Sequence, residues 1–237
     1  MATKDAFNKY VKNYKLVLAY SVLFIFLLFI IDPLFKMYGG GINLTYNIFG
    51  TNFLAIVLTL ISVLLLIFVF SLIQAALIHK VTDDYFVGRR IHLQEIKTSF
   101  LKLFKFNGIT FLLIYIISLI LYDLFLLNNI IVSLIFFGIA LLLWFTPQAI
   151  VIEKDNVGVS MLFSIKYLKN WKDALLVFVT TFILTFISIL LDVVIGGIVG
   201  PILSILFFTL FVIPYIEILK TDLYLSKYRL LKPMGGR

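Results

Sequence analysis

Cysteine is absent from the 237 residues, and only five prolines and two histidines are present. Without thiols there is no disulfide framework, no thiolate metal ligand and no thiolate nucleophile, and the redox compartment stays open. Charge is scarce as well: 14% of residues are charged and 62% are hydrophobic, where soluble domains run nearer one quarter and one half. A water-soluble fold of this length has no interior large enough for that apolar excess, whereas a bilayer removes the constraint. His79 and His92 lack metal-ligand spacing, and there is no HExxH, no GxSxG and no phosphate-cradling glycine loop. No segment between the apolar stretches exceeds about thirty residues, so an ATPase would need a separate subunit. These absences predict no cofactor and no catalytic residues.

What is present is apolar and organised in long runs. Six stretches stand out, at about residues 14–31, 52–78, 108–127, 130–152, 173–194 and 200–219. Each comes close to the roughly 20 residues that cross about 30 Å of hydrocarbon as a helix. Barrel strands would alternate polar with apolar at every second position, and no stretch does so. The predicted fold class is all-α: one transmembrane domain over residues 1–237, a polytopic bundle of six helices. Asp32-Pro33 closes the first helix, Asn128-Asn129 the third and Gly196-Gly197 the fifth. The first stretch reads as a membrane helix, not a cleavable signal peptide, because it is long, lacks a small-x-small site and is followed by five similar runs.

The cations choose sides. Of the twenty Lys and Arg residues, nineteen lie before or at the very start of the first stretch, between the second and third, between the fourth and fifth, or after the sixth; Lys36 alone lies on the other side. The positive-inside rule makes those four segments cytoplasmic, with both termini among them, in a multi-pass protein of the cell membrane. A net charge of +8 arranged beside apolar segments points to anionic lipid headgroups as partners, and not to nucleic acid. The outer loop, residues 33–51, carries the glycosylation sequon Asn43-Leu44-Thr45.

Lys9-Tyr10-Val11-Lys12-Asn13-Tyr14-Lys15 and Lys166-Tyr167-Leu168-Lys169-Asn170-Trp171-Lys172 share five of seven positions, and Lys102-Leu103-Phe104-Lys105-Phe106-Asn107-Gly108 is a weaker copy. Each precedes an odd-numbered stretch, which predicts three two-helix units, each with a short amphipathic lead-in at the interface. In residues 93–105, Leu93, Ile96, Phe100, Leu103 and Phe104 recur at helical spacing; Met161, Leu162, Ile165 and Leu168 do so in residues 159–171. Such helices either sense the membrane or brace the bundle.

Two sets of polar residues interrupt the apolar stretches. Asp32, Asp123 and Asp192 lie near the outer ends of the odd helices, 18 to 23 residues after the second lysine of each lead-in. They either converge near the mouth of a cavity or cap their helices at the interface. Toward the cytoplasmic ends, Pro147 and Pro214 would each free a carbonyl and kink a helix, opening a niche near Gln148, Tyr215 and Glu217, with Gln74 at similar depth. Lys220 follows Glu217 by three residues, as in a surface i,i+3 pair.

The stretch Phe145-Thr146-Pro147-Gln148-Ala149-Ile150-Val151-Ile152-Glu153, followed by Val159-Ser160-Met161-Leu162-Phe163-Ser164, resembles a loose group of prokaryotic and archaeal six-helix membrane proteins. The group includes proteins of unknown function and the membrane domain attached to some glycerophosphodiester phosphodiesterases. The resemblance implies a helical membrane fold and no activity, since that group's catalytic domain has no counterpart here. Three function classes follow: a non-enzymatic protein organising lipids or a partner membrane complex; a small transporter or permease subunit with a central cavity; and a lipid-modifying enzyme. The partners expected are membrane lipids, and a membrane protein or cytoplasmic subunit. Reporter tags fused separately to the two termini should be found on the same, cytoplasmic face by protease protection; opposite faces would overturn the charge argument.

Overall fold

Helices form because hydrocarbon leaves the backbone no other partner: each N–H and C=O must be satisfied within its own segment. The computed structural model describes residues 2–19, 21, 53–85, 93–121, 129–169, 171–197 and 199–231, and every regular element among them is helical. In order these are α1 (Ala2–Lys12), α2 (Phe53–Tyr85), α3 (Leu93–Leu119), α4 (Asn129–Leu143), α5 (Thr146–Glu153), α6 (Val157–Tyr167), α7 (Trp171–Ile195), α8 (Val199–Phe207), a π-helical turn (Phe208–Val212) and α9 (Ile213–Leu231). Residues 14–19 are helical too, and most of the first predicted stretch lies outside the described residues. Among the described residues, five helical stretches are long and apolar enough to cross a membrane: Val63–Tyr85, Gln94–Ile117, Leu134–Glu153, Trp171–Ile195 and Val199–Lys227. The protein is a multi-pass, all-α membrane protein.

Several helices run past the ends their apolar stretches suggest. α3 begins at Leu93 and passes through Asn107-Gly108 without a break, so the predicted lead-in is the first half of the span itself. Asn107 is held inside the helix by its own side chain, whose Nδ2 donates to Ser71 Oγ at 2.9 Å. α2 continues to Tyr85, and the last helix to Leu231. Their polar ends are held by partners such as Lys12, which pairs with Asp84 at 2.7 Å.

The spans divide into inner and outer ones. In Val63–Tyr85, Leu134–Glu153 and Val199–Lys227, 44%, 39% and 44% of the residues of the most apolar window are buried, against 11% in each of Gln94–Ile117 and Trp171–Ile195. The three inner spans all run toward the lysine-rich end of the bundle (the basic end). There α2, α5 and α9 pack on one another, and Ile78, Val81, Phe145, Ile150, Ile218, Leu219 and Leu225 are wholly buried. α1 lies against α9, and α3 against α2.

Two short helices are amphipathic in the inverted sense that a bilayer allows. α6 buries Ser160, Ser164 and Tyr167 and exposes Val159, Leu162 and Ile165. Along α1 and its continuation, Ala6, Asn13 and Val17 face the protein while Phe7, Val11, Tyr14 and Leu18 are exposed, at spacings of four, three and four. Small and polar side chains give close helix contacts, and the apolar stripes are left to lipid.

At the far end, α7 and α8 meet in a tight hairpin. Gly196 and Gly197 both have positive φ, near 60°, which L-residues with a Cβ adopt at a cost. Gly200 lies so close to Asp192 that a Cβ there would stand 2.5 Å from the Asp192 carbonyl oxygen, and Ser188 and Ser204 hydrogen-bond across the pair at 2.9 Å. Gly200→Ala should therefore destabilise the protein by about 1–3 kcal/mol, the cost of overpacking. Gly138→Ala, with nothing within 4 Å of its Cβ, should stabilise by about 0.5–1 kcal/mol. Unfolding of the two variants in mixed micelles checks both signs.

Candidate functional site: a buried ion pair between two broken helices

Proline supplies no N–H, so each proline inside a span leaves carbonyls to be satisfied from elsewhere. Pro214 follows the π turn. In α geometry it would owe a bond to Leu210 O, and in π geometry one to Thr209 O. Tyr10 Oη donates to Leu210 O at 2.9 Å, and Ser21 Oγ lies 2.9 Å from both Thr209 O and Val17 O and shares its one proton between them. Both donors come from the N-terminal segment, which thus completes the backbone of the last span. Burial pushes the Tyr10 phenol above its ordinary pKa, keeping it a donor at every physiological pH.

The second break is in the fourth predicted stretch. Helix α4 ends at Leu143, Trp144 and Phe145 form a turn, and α5 starts with Pro147 in its first turn. Ser164 of α6 bridges the gap: its Oγ donates to Leu142 O at 2.8 Å and accepts from Phe145 N at 3.1 Å. A second carbonyl beside the break, Trp144 O, accepts from Lys220 Nζ at 3.3 Å.

Lys220 connects this break to the other. Its ammonium pairs with Glu217 Oε1 at 2.5 Å, and Glu217 Oε2 accepts from Gln148 Nε2 at 2.9 Å. Sequence spacing suggests a surface pair here. The structure corrects that: Glu217 is 8% and Lys220 4% exposed, because α2 and α5 cover this face of α9. Gln148 is wholly buried, and its Oε1 has no hydrogen-bond partner among the described residues, nor has Thr146 Oγ1. One turn further on, Lys9 of α1 pairs with Asp222.

The other polar positions are distributed more widely. Tyr215 donates to Thr3 O at 3.1 Å and stacks on Phe211, so it faces α1. Gln74 is buried and accepts from Asn107 at 3.4 Å, which directs it to α3. Asp192 is partly exposed on α7, beside the glycine hairpin. Asp32, Asp123, His92 and the sequon at Asn43 lie outside the described residues. His79 bonds Ser99 at 2.9 Å, and no cluster of metal-ligating side chains occurs among the described residues.

Sequence reasoning overlooks Lys220 as a buried bridge, the pair Lys9–Asp222, and Tyr10, Ser21 and Ser164 as carbonyl partners. Two hydroxyl donors lie in or beside the repeated lead-ins, so the repeat is the available signal. Near the surface of the basic end, Tyr167 stacks on Tyr224 with ring centroids 5.1 Å apart and donates to Asp173 at 3.3 Å. Burial first, then the Asp173 carboxylate, push its pKa up. The stability this phenol contributes is complete below its ordinary pKa of 10.0 and is lost as pH rises beyond it.

Against known families, curated proteins and solved structures, the chain finds no match. Lys220→Met should destabilise by about 3–5 kcal/mol, since it strands a buried carboxylate. Adding Glu217→Gln, which keeps an acceptor for Gln148 and removes the charge, should restore most of that loss. Equal stabilities for the single and double variants in mixed-micelle unfolding would show that the pair is not coupled.

Proposed function

We propose that this chain is a non-enzymatic integral membrane protein that organises lipids or a partner membrane complex at the cytoplasmic face. In this reading six spans form three two-helix units, and both termini are cytoplasmic. The observation that carries it is the packed basic end, where α2, α5 and α9 close on a core of wholly buried side chains. The apolar stripes on α1 and α6 turn outward, where lipid or a partner would meet them. Likeness to the membrane domain attached to some glycerophosphodiester phosphodiesterases belongs to this proposal as a scaffold only.

A second reading, a small transporter or permease subunit, draws on the two broken helices beside a buried charge pair, an arrangement that ion-coupled transporters use. The two readings differ at Gln148. The natural chain has no cysteine, so Thr146→Cys and Gln148→Cys provide clean probes. An organiser should leave both unlabelled by membrane-impermeant maleimides from either side; rapid labelling from one side would favour the transporter. Purification from native membranes should also bring down a stoichiometric partner or an enriched anionic lipid. Bulk lipid composition with no partner would sink the organising role.

A further inference from the structure

A cavity opens among the described residues between α4, the first part of the inner span Leu134–Glu153, and the outer span α7. It measures about 290 Å³ and is lined by Phe137 and Ala140 of α4, Trp144 of the turn that follows, and Phe178, Thr181 and Phe182 of α7. Phe178 is its floor, with ring centroids 5.6 Å from Phe137 and 6.4 Å from Trp144. Thr181 does not make it polar, because its hydroxyl donates to Val177 O at 2.7 Å within α7. Both helices lie in stretches that cross the membrane, so the occupant must be at home in hydrocarbon. A transmembrane helix, about 10–12 Å across with its side chains, is far too large. A single acyl chain has the right calibre and chemistry.

The basic end of the groove tells which lipid. Trp171 lies seven residues before Phe178, two turns along the same face and about 10 Å away along the axis, and it is 64% exposed. Interfacial tryptophan marks headgroup depth. In the chain beside it, Lys169 and Lys172, and Lys166 at the end of α6, form no ion pair among the described residues; Lys166 lies over the ring of Phe163 at 5.7 Å, whereas Lys154 is taken by Glu95 and Lys227 by Asp173. We infer that the α4–α7 groove is a binding site for one anionic phospholipid, its acyl chain between Trp144 and Phe182 and its phosphate among Lys166, Lys169 and Lys172. The inference rests on the lipid-organising reading and gives it a location.

The two tryptophans of the chain are both at this site, which supplies the readout. The full chain, as Trp171→Phe to isolate Trp144, is reconstituted in phosphatidylcholine vesicles with rising fractions of phosphatidylglycerol whose acyl chains carry bromine, a contact quencher. Half-maximal quenching of Trp144 should occur at a mole fraction at least about fivefold lower than for brominated phosphatidylcholine, the effect of even one lysine on an anionic lipid. Replacing Lys166, Lys169 and Lys172 by Gln should erase that difference and keep the quenching. Ala140→Phe should remove the quenching; Ala140 is exposed to the groove, so the larger side chain fills it without entering the core. Quenching independent of headgroup would mean ordinary boundary lipid, and no quenching would mean a groove closed by protein; either result overturns the site. Anionic lipid still enriched on purification would then keep the organising role and locate it elsewhere.

Discussion

The structure depends on one constraint: a carbonyl in hydrocarbon that loses its helical partner must find another. Two prolines create such carbonyls in two of the three inner spans, and the rest of the basic end is arranged around them. Tyr10 and Ser21 reach the carbonyls before Pro214, and Ser164 and Lys220 reach Leu142 O and Trp144 O, on either side of the helix break that Pro147 follows. These four donors come from α1 and its continuation, α6 and α9. Through them, segments far apart in the chain become necessary to one another's backbone.

Lys220 has two tasks in that scheme. Its ammonium satisfies a carbonyl at the break and the carboxylate of Glu217, and Glu217 in turn holds Gln148. A buried ion pair is weak evidence for added stability, since desolvation offsets most of the attraction. Here its consequence is specificity of register. Any slide of α9 along α5 would strand a charge, a carbonyl and an amide together.

Inverted amphipathicity explains how short helices serve the same bundle. In water, α6 would turn Leu162 and Ile165 inward; in a bilayer these can remain outside, and the interior takes Ser160 and Ser164. The Ser face allows Ser164 to approach the broken helix closely enough to bond both sides of the gap. The exposed apolar stripes are therefore the counterpart of the buried serines.

The amino-acid sequence by itself determined that this is a multi-pass, all-α membrane protein, because partitioning of long apolar runs is a property of each segment alone. It also marked Pro147, Gln148, Pro214, Tyr215 and Glu217 as interruptions, since a proline or a charge in an apolar run is visible without any neighbour. Which spans lie inside, where α3 truly begins, and that Glu217 and Lys220 are buried were decided only in three dimensions. Asn107-Gly108 looks like a helix boundary until Ser71 of another helix bonds the asparagine. The pair three residues apart looks like a surface pair until α2 and α5 cover it. Burial and hydrogen-bond partnership belong to contacts between segments, and no local pattern records which segments will meet.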